Sequence, residues 1–151
     1  MKSLLVKMVL MLGVVFTMAS CDKDEERIAI DELPAVSQSF ISQYFANAKI
    51  TSTIKDKESA ARVEYEVKLD NGLDITFDEA GNWLDVEARN DREALPSTGF
   101  ILPAIVSYVT NNYPSVGING IEREMNGFDI ELTNDIDLVF NSEGGFVRED
   151  R

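Results

Sequence analysis

The chain is one unit written twice. Leu33-Pro34-Ala35 reappears as Leu102-Pro103-Ala104, each opening a run that ends in Tyr44 or Tyr113. Downstream, Leu69-Asp70-Asn71 is answered by Leu132-Thr133-Asn134, and Phe77-Asp78-Glu79-Ala80-Gly81 by Phe140-Asn141-Ser142-Glu143-Gly144. A duplication constrains the fold strongly, because each copy must bury the same faces as its twin and half a chain of this size buries little by itself.

In the first copy Val36, Phe40, Ile41, Tyr44 and Phe45 gather on one face of a 3.6-period helix, with Pro34 in its first turn, where a missing N–H is tolerated. The second helix runs from Pro103 to Asn112, repeats the stripe with Ile105, Val109 and Tyr113, and is closed by Pro114. The helices need a surface to lie on, and period-two stretches supply it. Val63, Tyr65, Val67 and Leu69 alternate with Glu64, Glu66 and Lys68. Beyond the turn Asp70-Asn71-Gly72, Leu73, Ile75 and Phe77 alternate with Asp74, Thr76 and Asp78. Leu84, Val86 and Ala88 then alternate with Trp83, Asp85 and Glu87, and a weaker strand at Ile50–Ile54 precedes the hairpin. The second copy repeats the order through Ile118–Met125, Phe128–Leu132, Ile136–Phe140 and Gly145–Arg148.

The expected fold is α+β: two tandem helix-plus-four-strand repeats forming one antiparallel sheet of about eight strands, with both helices on one face and the other face open to water. Repeat one covers 31–89, repeat two 96–150, and residues 31–150 make a single domain, with Asn90–Ser97 as the boundary. The copies stand 69 residues apart at the Leu-Pro pairs and 63 at the hairpins, so the second lacks six residues around Lys55–Ala60. A loop tolerates that difference.

Residues 1–20 read as an export signal rather than as part of the fold. Lys2 and Lys7 give a basic start, Met8–Met18 is apolar but too short to span a bilayer comfortably, and Ala19-Ser20 are small. Met18-Ala19-Ser20-Cys21 resembles the lipobox of bacterial lipoproteins, which implies lipid attachment at Cys21, the single cysteine. The alternative is an ordinary secretory signal followed by a free thiol. Residues 21–30 read as an acidic tether, and Asp22-Lys23-Asp24-Glu25-Glu26 resembles the export tag of Bacteroidetes surface lipoproteins. Either way the domain is expected outside the cytoplasm, in the periplasm or at the cell surface.

Loss of Lys2 and Lys7 with the signal takes the formal charge from −13 to −15. Nucleic acids and anionic headgroups need clustered Lys and Arg, so membrane contact is expected through the lipid only. Basic proteins or cations suit this charge, although acidity alone also keeps an exported domain soluble.

The chain has no histidine, which removes Cys–His and Ser–His–Asp machinery and the usual zinc spheres. Carboxylate pairs such as Asp74 with Asp78, or Asp129 with Glu131, share the solvated face of a strand rather than a pocket. No catalytic residue, metal ligand or cofactor is therefore expected. Asp70-Asn71-Gly72-Leu73-Asp74 and Asn134-Asp135-Ile136-Asp137 lack the 12-residue spacing and terminal Glu of an EF-hand and read as hairpin turns.

The paired Leu-Pro helices, the Phe77-Asp78-Glu79-Ala80-Gly81-Asn82-Trp83 turn and the anchor together resemble the PepSY-like domains of secreted bacterial proteins, similar in fold to the β-lactamase inhibitor protein. The resemblance covers Glu32–Asp150 and implies a concave sheet that engages another protein, with inhibition of a secreted hydrolase or protease by steric occlusion. Carried along the strands, the alternation sends Trp83 and its twin Phe146 to the open face, among Glu64, Glu66, Asp74, Asp78, Asp85, Glu87, Asp129, Glu131 and Asp137. That set is the expected binding face for an envelope or secreted protein with a basic surface. A bulge or twist would instead turn Trp83 into the core. The second reading is a surface scavenger of calcium or small ligands on the acidic face, and a third is carbohydrate contact through Trp83.

Overall fold

Alternation becomes burial most directly in the hairpin of β3 (Arg62–Leu69) and β4 (Leu73–Asp78). Val67, Leu69, Leu73, Ile75 and Phe77 are fully buried, while their neighbours Glu66, Lys68, Asp74 and Thr76 lie on the opposite, wetter face. The computed structural model describes residues 24–59 and 62–150, so the export signal, the lipobox and Cys21 lie outside the described residues.

The remaining strands are β1 (Asp24–Arg27), β2 (Ile50–Ser59), β5 (Trp83–Ala88), β6 (Ile118–Glu124), β7 (Gly127–Leu132), β8 (Asp137–Asn141) and β9 (Phe146–Asp150). They form one sheet in chain order, β1 through β9, and every neighbouring pair is antiparallel. Helices α1 (Ala35–Tyr44) and α2 (Pro103–Asn112) cover one face and send Ile41, Ile105 and Val109 into a core shared with Ile121, Ile130, Leu132, Leu138 and Phe140. Each such side chain contributes about 1.5–3 kcal/mol on leaving water. The two-repeat α+β architecture is as expected.

The sheet has nine strands rather than eight. Asp24–Arg27, read above as tether, pairs antiparallel with Lys57–Ile54 as β1. Its run Asp-Glu-Glu-Arg has no apolar alternation; the strand exists because β2 presents an unpaired backbone edge that β1 satisfies. β1 stands to β2 as β5 stands to β6.

The copies superpose one residue away from the Leu-Pro match. The hydrogen bonds Leu33 N–H to Ile30 O and Phe45 N–H to Ile41 O recur as Ile101 N–H to Thr98 O and Tyr113 N–H to Val109 O, a spacing of 68. Pro34 therefore corresponds to Leu102, and Pro103 takes the first helical position that Ala35 holds in α1. The second copy is thus five residues shorter in the first-strand region, not six, and β6 is correspondingly shorter than β2. Turn glycines fix the register: Gly81 and Gly144 have φ of +88° and +80°, and a Cβ at Gly81 would lie 2.7 Å from Pro34 Cβ.

The same shift changes the buried stripe of α1. Val36, expected inside, is 53 % exposed, and Ser37 is buried in its stead. The Ser37 hydroxyl donates to Gly81 O at 3.2 Å, a bond between helix and turn that Ile105 replaces with apolar contact in the second repeat.

Candidate functional site

The open face is a two-rowed band of acids whose centre is the junction of the repeats. Cross-strand register sets Glu66, Thr76, Asp85, Glu122, Asp129 and Val139 side by side, and beside them Lys68, Asp74, Glu87, Gly120, Glu131 and Asp137. The junction itself has three residue pairs: Asp85 with Glu122, Val86 with Ile121, and Glu87 with Gly120. Val86 and Ile121 are buried under the helices, which leaves the flanking pairs to the open side. Like charges in directly opposed positions weaken a sheet, so this arrangement is not explained by strand pairing.

Electrostatics follow from that crowding. Burial, reinforced by Glu87, Glu122, Asp74 and Glu131, pushes the Asp85 carboxyl up to about 8. Burial raises Glu122 as well, with Glu124 and Asp129 adding to it, and raises Glu131 together with Asp137 and Asp91. Asp129 is raised by burial and Glu124 against a lowering by Arg148; Asp137 is raised by burial and then by Asp150 and Asp135. Repeat one is better neutralised. Asp74 holds Lys68 Nζ at 2.8 Å and Arg89 Nε at 3.2 Å, whereas Glu131 occupies the second-repeat position of Lys68. Negative charge therefore concentrates at the junction and across repeat two.

Glu64, Glu66, Asp74, Asp78, Asp85, Glu87, Asp129, Glu131 and Asp137 share this face by register, as the alternation predicts. Glu122 belongs with them and was missed. Its signal is the step from apolar Ile121 to a charged neighbour, weakened by Gly120, which leaves no side chain on the other side of Ile121 to mark the alternation.

Trp83 and Phe146 do not belong there. In β5 the register passes from Thr76–Asp85 to Phe77–Trp83, and Leu84 is the extra residue of a bulge. Trp83 thereby turns to the helix side, 9 % exposed, against Phe40, Phe100 and Phe128, with the Arg123 guanidinium 4.3 Å from its ring centre. The bulge recurs in β9, where Val139–Arg148 gives way to Phe140–Phe146 and Val147 is extra. Phe146 stacks on Tyr108 with centroids 4.5 Å apart, although it remains 39 % exposed at the sheet's edge. The expected aromatic anchors of the open face are helix-side packing, and the carbohydrate reading loses its one residue.

The bulge also places Leu84 beside the acids. With Arg62, Val63, Glu64, Asp78 and Glu79 it lines a hollow of about 280 Å³ at the rim of the open face. Among the described residues no group of three or more His, Cys, Asp or Glu side chains stands close enough to hold a metal ion, and no helix is long and apolar enough to cross a membrane.

A family model described as putative beta-lactamase-inhibitor-like, PepSY-like matches residues 20–79 and again 63–148. No curated protein matches the sequence. Among solved structures, a putative calcium-regulated periplasmic protein from Bacteroides thetaiotaomicron is similar at 30 % identity, over 85 % of this chain and 98 % of that one, with a TM-score of 0.77. A putative periplasmic protein of unknown function from Bacteroides vulgatus is similar at 27 % identity over 84 % and 99 % (TM-score 0.76). A third, from the same organism and of the DUF2874 family, is 26 % identical over 86 % and 99 % (TM-score 0.77).

Proposed function

The chain belongs to the PepSY-like, beta-lactamase-inhibitor-like family, and we propose that it is an exported envelope protein that binds a basic protein surface on the open face of its sheet. One observation carries the reading: Asp85 and Glu122 oppose each other across the repeat junction with Asp129 and Glu131 on the next strand, at a cost to the fold that a partner's positive charge would relieve. All four carboxyls are raised by burial and like charge, and all four would fall toward ordinary behaviour beneath a partner's Lys and Arg. Periplasmic relatives support export. Occlusion of a secreted hydrolase or protease is the form of action that the family's description favours. Lipid attachment at Cys21 would hold β1 within about 10 Å of the anchor, because three residues of extended chain reach no further.

The test is capture from envelope extract by the exported protein, against an Asp85→Asn, Glu122→Gln, Asp129→Asn, Glu131→Gln variant. A basic protein retained by the wild type, released by salt and lost with the variant is the expected outcome. Identical capture by both proteins would remove the face from the reading. For the anchor, Cys21→Ser should move the protein from the membrane to the soluble fraction; unchanged partition would refute lipidation.

Calcium is the second reading, favoured by the opposition of Asp85 and Glu122 and by the calcium-regulated description of one relative. It requires the carboxylates to converge on the ion. Calorimetric titration of the metal-stripped protein should then give saturable heat and a raised melting temperature, and the absence of both ends this reading.

A further inference from the structure

The outer edge of β9 repeats, half-built, a site that is complete inside the molecule. Trp83 in β5 and Phe146 in β9 are twins: each opposes the buried Phe of the preceding strand, Phe77 or Phe140, and each stacks on the matching aromatic of its own repeat's helix, Phe40 or Tyr108. Trp83 is finished by the next repeat. β6 pairs with β5 at Val86–Ile121, and two residues further on its Arg123 lays a guanidinium 4.3 Å from the Trp83 ring centre, with Phe128 of β7 stacked at 6.2 Å. Among the described residues no strand pairs with the outer edge of β9, and there Phe146 and Val147 are exposed, whereas Trp83 is buried and Leu84 half-buried.

The duplication also marks what differs at this edge. Val86, fully buried against Ile121, has Glu149 as its twin, opposite Leu138 as Val86 is opposite Ile75. The Glu149 carboxylate lies on the helix side, where it accepts a hydrogen bond from the Tyr113 hydroxyl at the end of α2. Arg148 and Asp150, on the open side, neutralise each other, with Nη2 3.0 Å from Oδ2. The net charge turned toward an added strand is therefore that of Glu149. An edge so charged turns away acidic strands, another copy's Asp-Glu-Glu-Arg β1 included, and admits a basic one.

The geometry points to the outer edge of β9 as the seat of an extended basic segment of the partner protein, which adds a strand to the sheet, a proposal that rests on the reading of a basic partner given above. The junction supplies the register. The incoming residue opposite Glu149 takes the place of Ile121 and is lysine; the residue two further along takes the place of Arg123 and is arginine, its guanidinium over the Phe146 ring. The residue between them points to the open side, opposite Arg148, where a small neutral side chain fits. Backbone pairing does the rest. At the matching position of β1, next to the Arg27–Ile54 pair, Ile28 N–H donates to Thr53 O at 3.2 Å, so the lysine occupies a hydrogen-bonded position of the ladder.

The experiment titrates the whole exported protein with a blocked Thr-Lys-Thr-Arg-Thr peptide, followed by NMR. Saturable shifts of the Phe146 ring signals and slowed amide exchange along β9 are expected. Methylating the backbone nitrogen of the lysine keeps both charges but removes a ladder hydrogen bond, and should weaken binding about fivefold or more. Phe146→Leu should weaken it about threefold. Glu149→Lys should abolish binding of this peptide and restore it for the peptide with Glu in place of Lys, an exchange that lost folding cannot imitate. Asp85→Asn with Glu122→Gln should leave the Phe146 shifts in place. No saturable binding, equal binding of the methylated peptide, insensitivity to Phe146→Leu, absence of the Glu149→Lys exchange, or copies of the chain pairing through β9 would each overturn the proposal. In the envelope capture described above, a partner kept by Glu149→Lys but lost with the junction variant would overturn it too, while the open-face reading survives.

Discussion

Asp85 faces Glu122 directly across the strand pair that joins the two repeats, and the remaining pairs of that junction are Val86 with Ile121 and Glu87 with Gly120. Three residue pairs hold the two half-sheets edge to edge, and one of them opposes two acids. The helices compensate from the other side, where Val86 and Ile121 are buried.

The first prediction concerns pH. Asp85 titrates at about 8 in the folded chain against 3.8 ordinarily, so the folded state holds its proton more tightly than the unfolded state does. A raised folded value means full stability below the unfolded value and a loss as pH rises toward the folded one. Melting temperature should therefore fall from about pH 4 to about pH 8, and Glu122, Asp129, Glu131 and Asp137, all raised, add to the same slope. Asp85→Asn should flatten that slope and raise the melting temperature at pH 8 by about 3 °C or more. A variant whose pH profile parallels the wild type would refute the assignment.

Trp83 should behave as core. Trp83→Ala is expected to cost about 3–5 kcal/mol in urea unfolding followed by circular dichroism. Phe146→Ala, at a half-open edge, should cost about 1–2 kcal/mol. Trp83 is the chain's one tryptophan, so acrylamide quenching of the wild-type fluorescence reads its exposure directly. Efficient quenching would contradict the bulge.

Two glycines with the same backbone geometry should separate strain from packing. Gly72 and Gly81 have φ of +87° and +88°, but a Cβ at Gly72 meets open space while one at Gly81 meets Pro34 and Ser37. Gly72→Ala should cost about 1 kcal/mol, the backbone term alone. Gly81→Ala should exceed it by about 2 kcal/mol or more, because turn and helix must part. Equal losses in chemical denaturation would mean that the turn does not press on α1.

The duplication made the strand plan legible, since the alternation in β3, β4, β7 and β8 is strong and each strand has a twin. What it concealed were single-residue offsets. The identical Leu-Pro-Ala triplets invited a match one residue from the structural one, and Val36 and Ser37 exchanged faces accordingly. Trp83-Leu84 and Phe146-Val147 are adjacent apolar pairs at the start of period-two strands, and a bulge is the device that accommodates both members. Periodicity alone cannot choose which of the two turns inward. β1 left no local signal, because its pairing is imposed by the edge of β2.

The strand order of the sheet is also the order of the chain, and that has a kinetic consequence. Six of the eight pairings are hairpins, while β1 with β2 and β5 with β6 must each close around a helix. Hairpins carry small loop-closure entropies, so each repeat is able to assemble from local contacts before the junction forms. Carboxylates brought together in that last closure slow it when they are charged. Refolding should therefore accelerate as pH falls from about 8 to about 5, and Asp85→Asn should remove part of the acceleration while leaving the hairpins' own formation rates untouched.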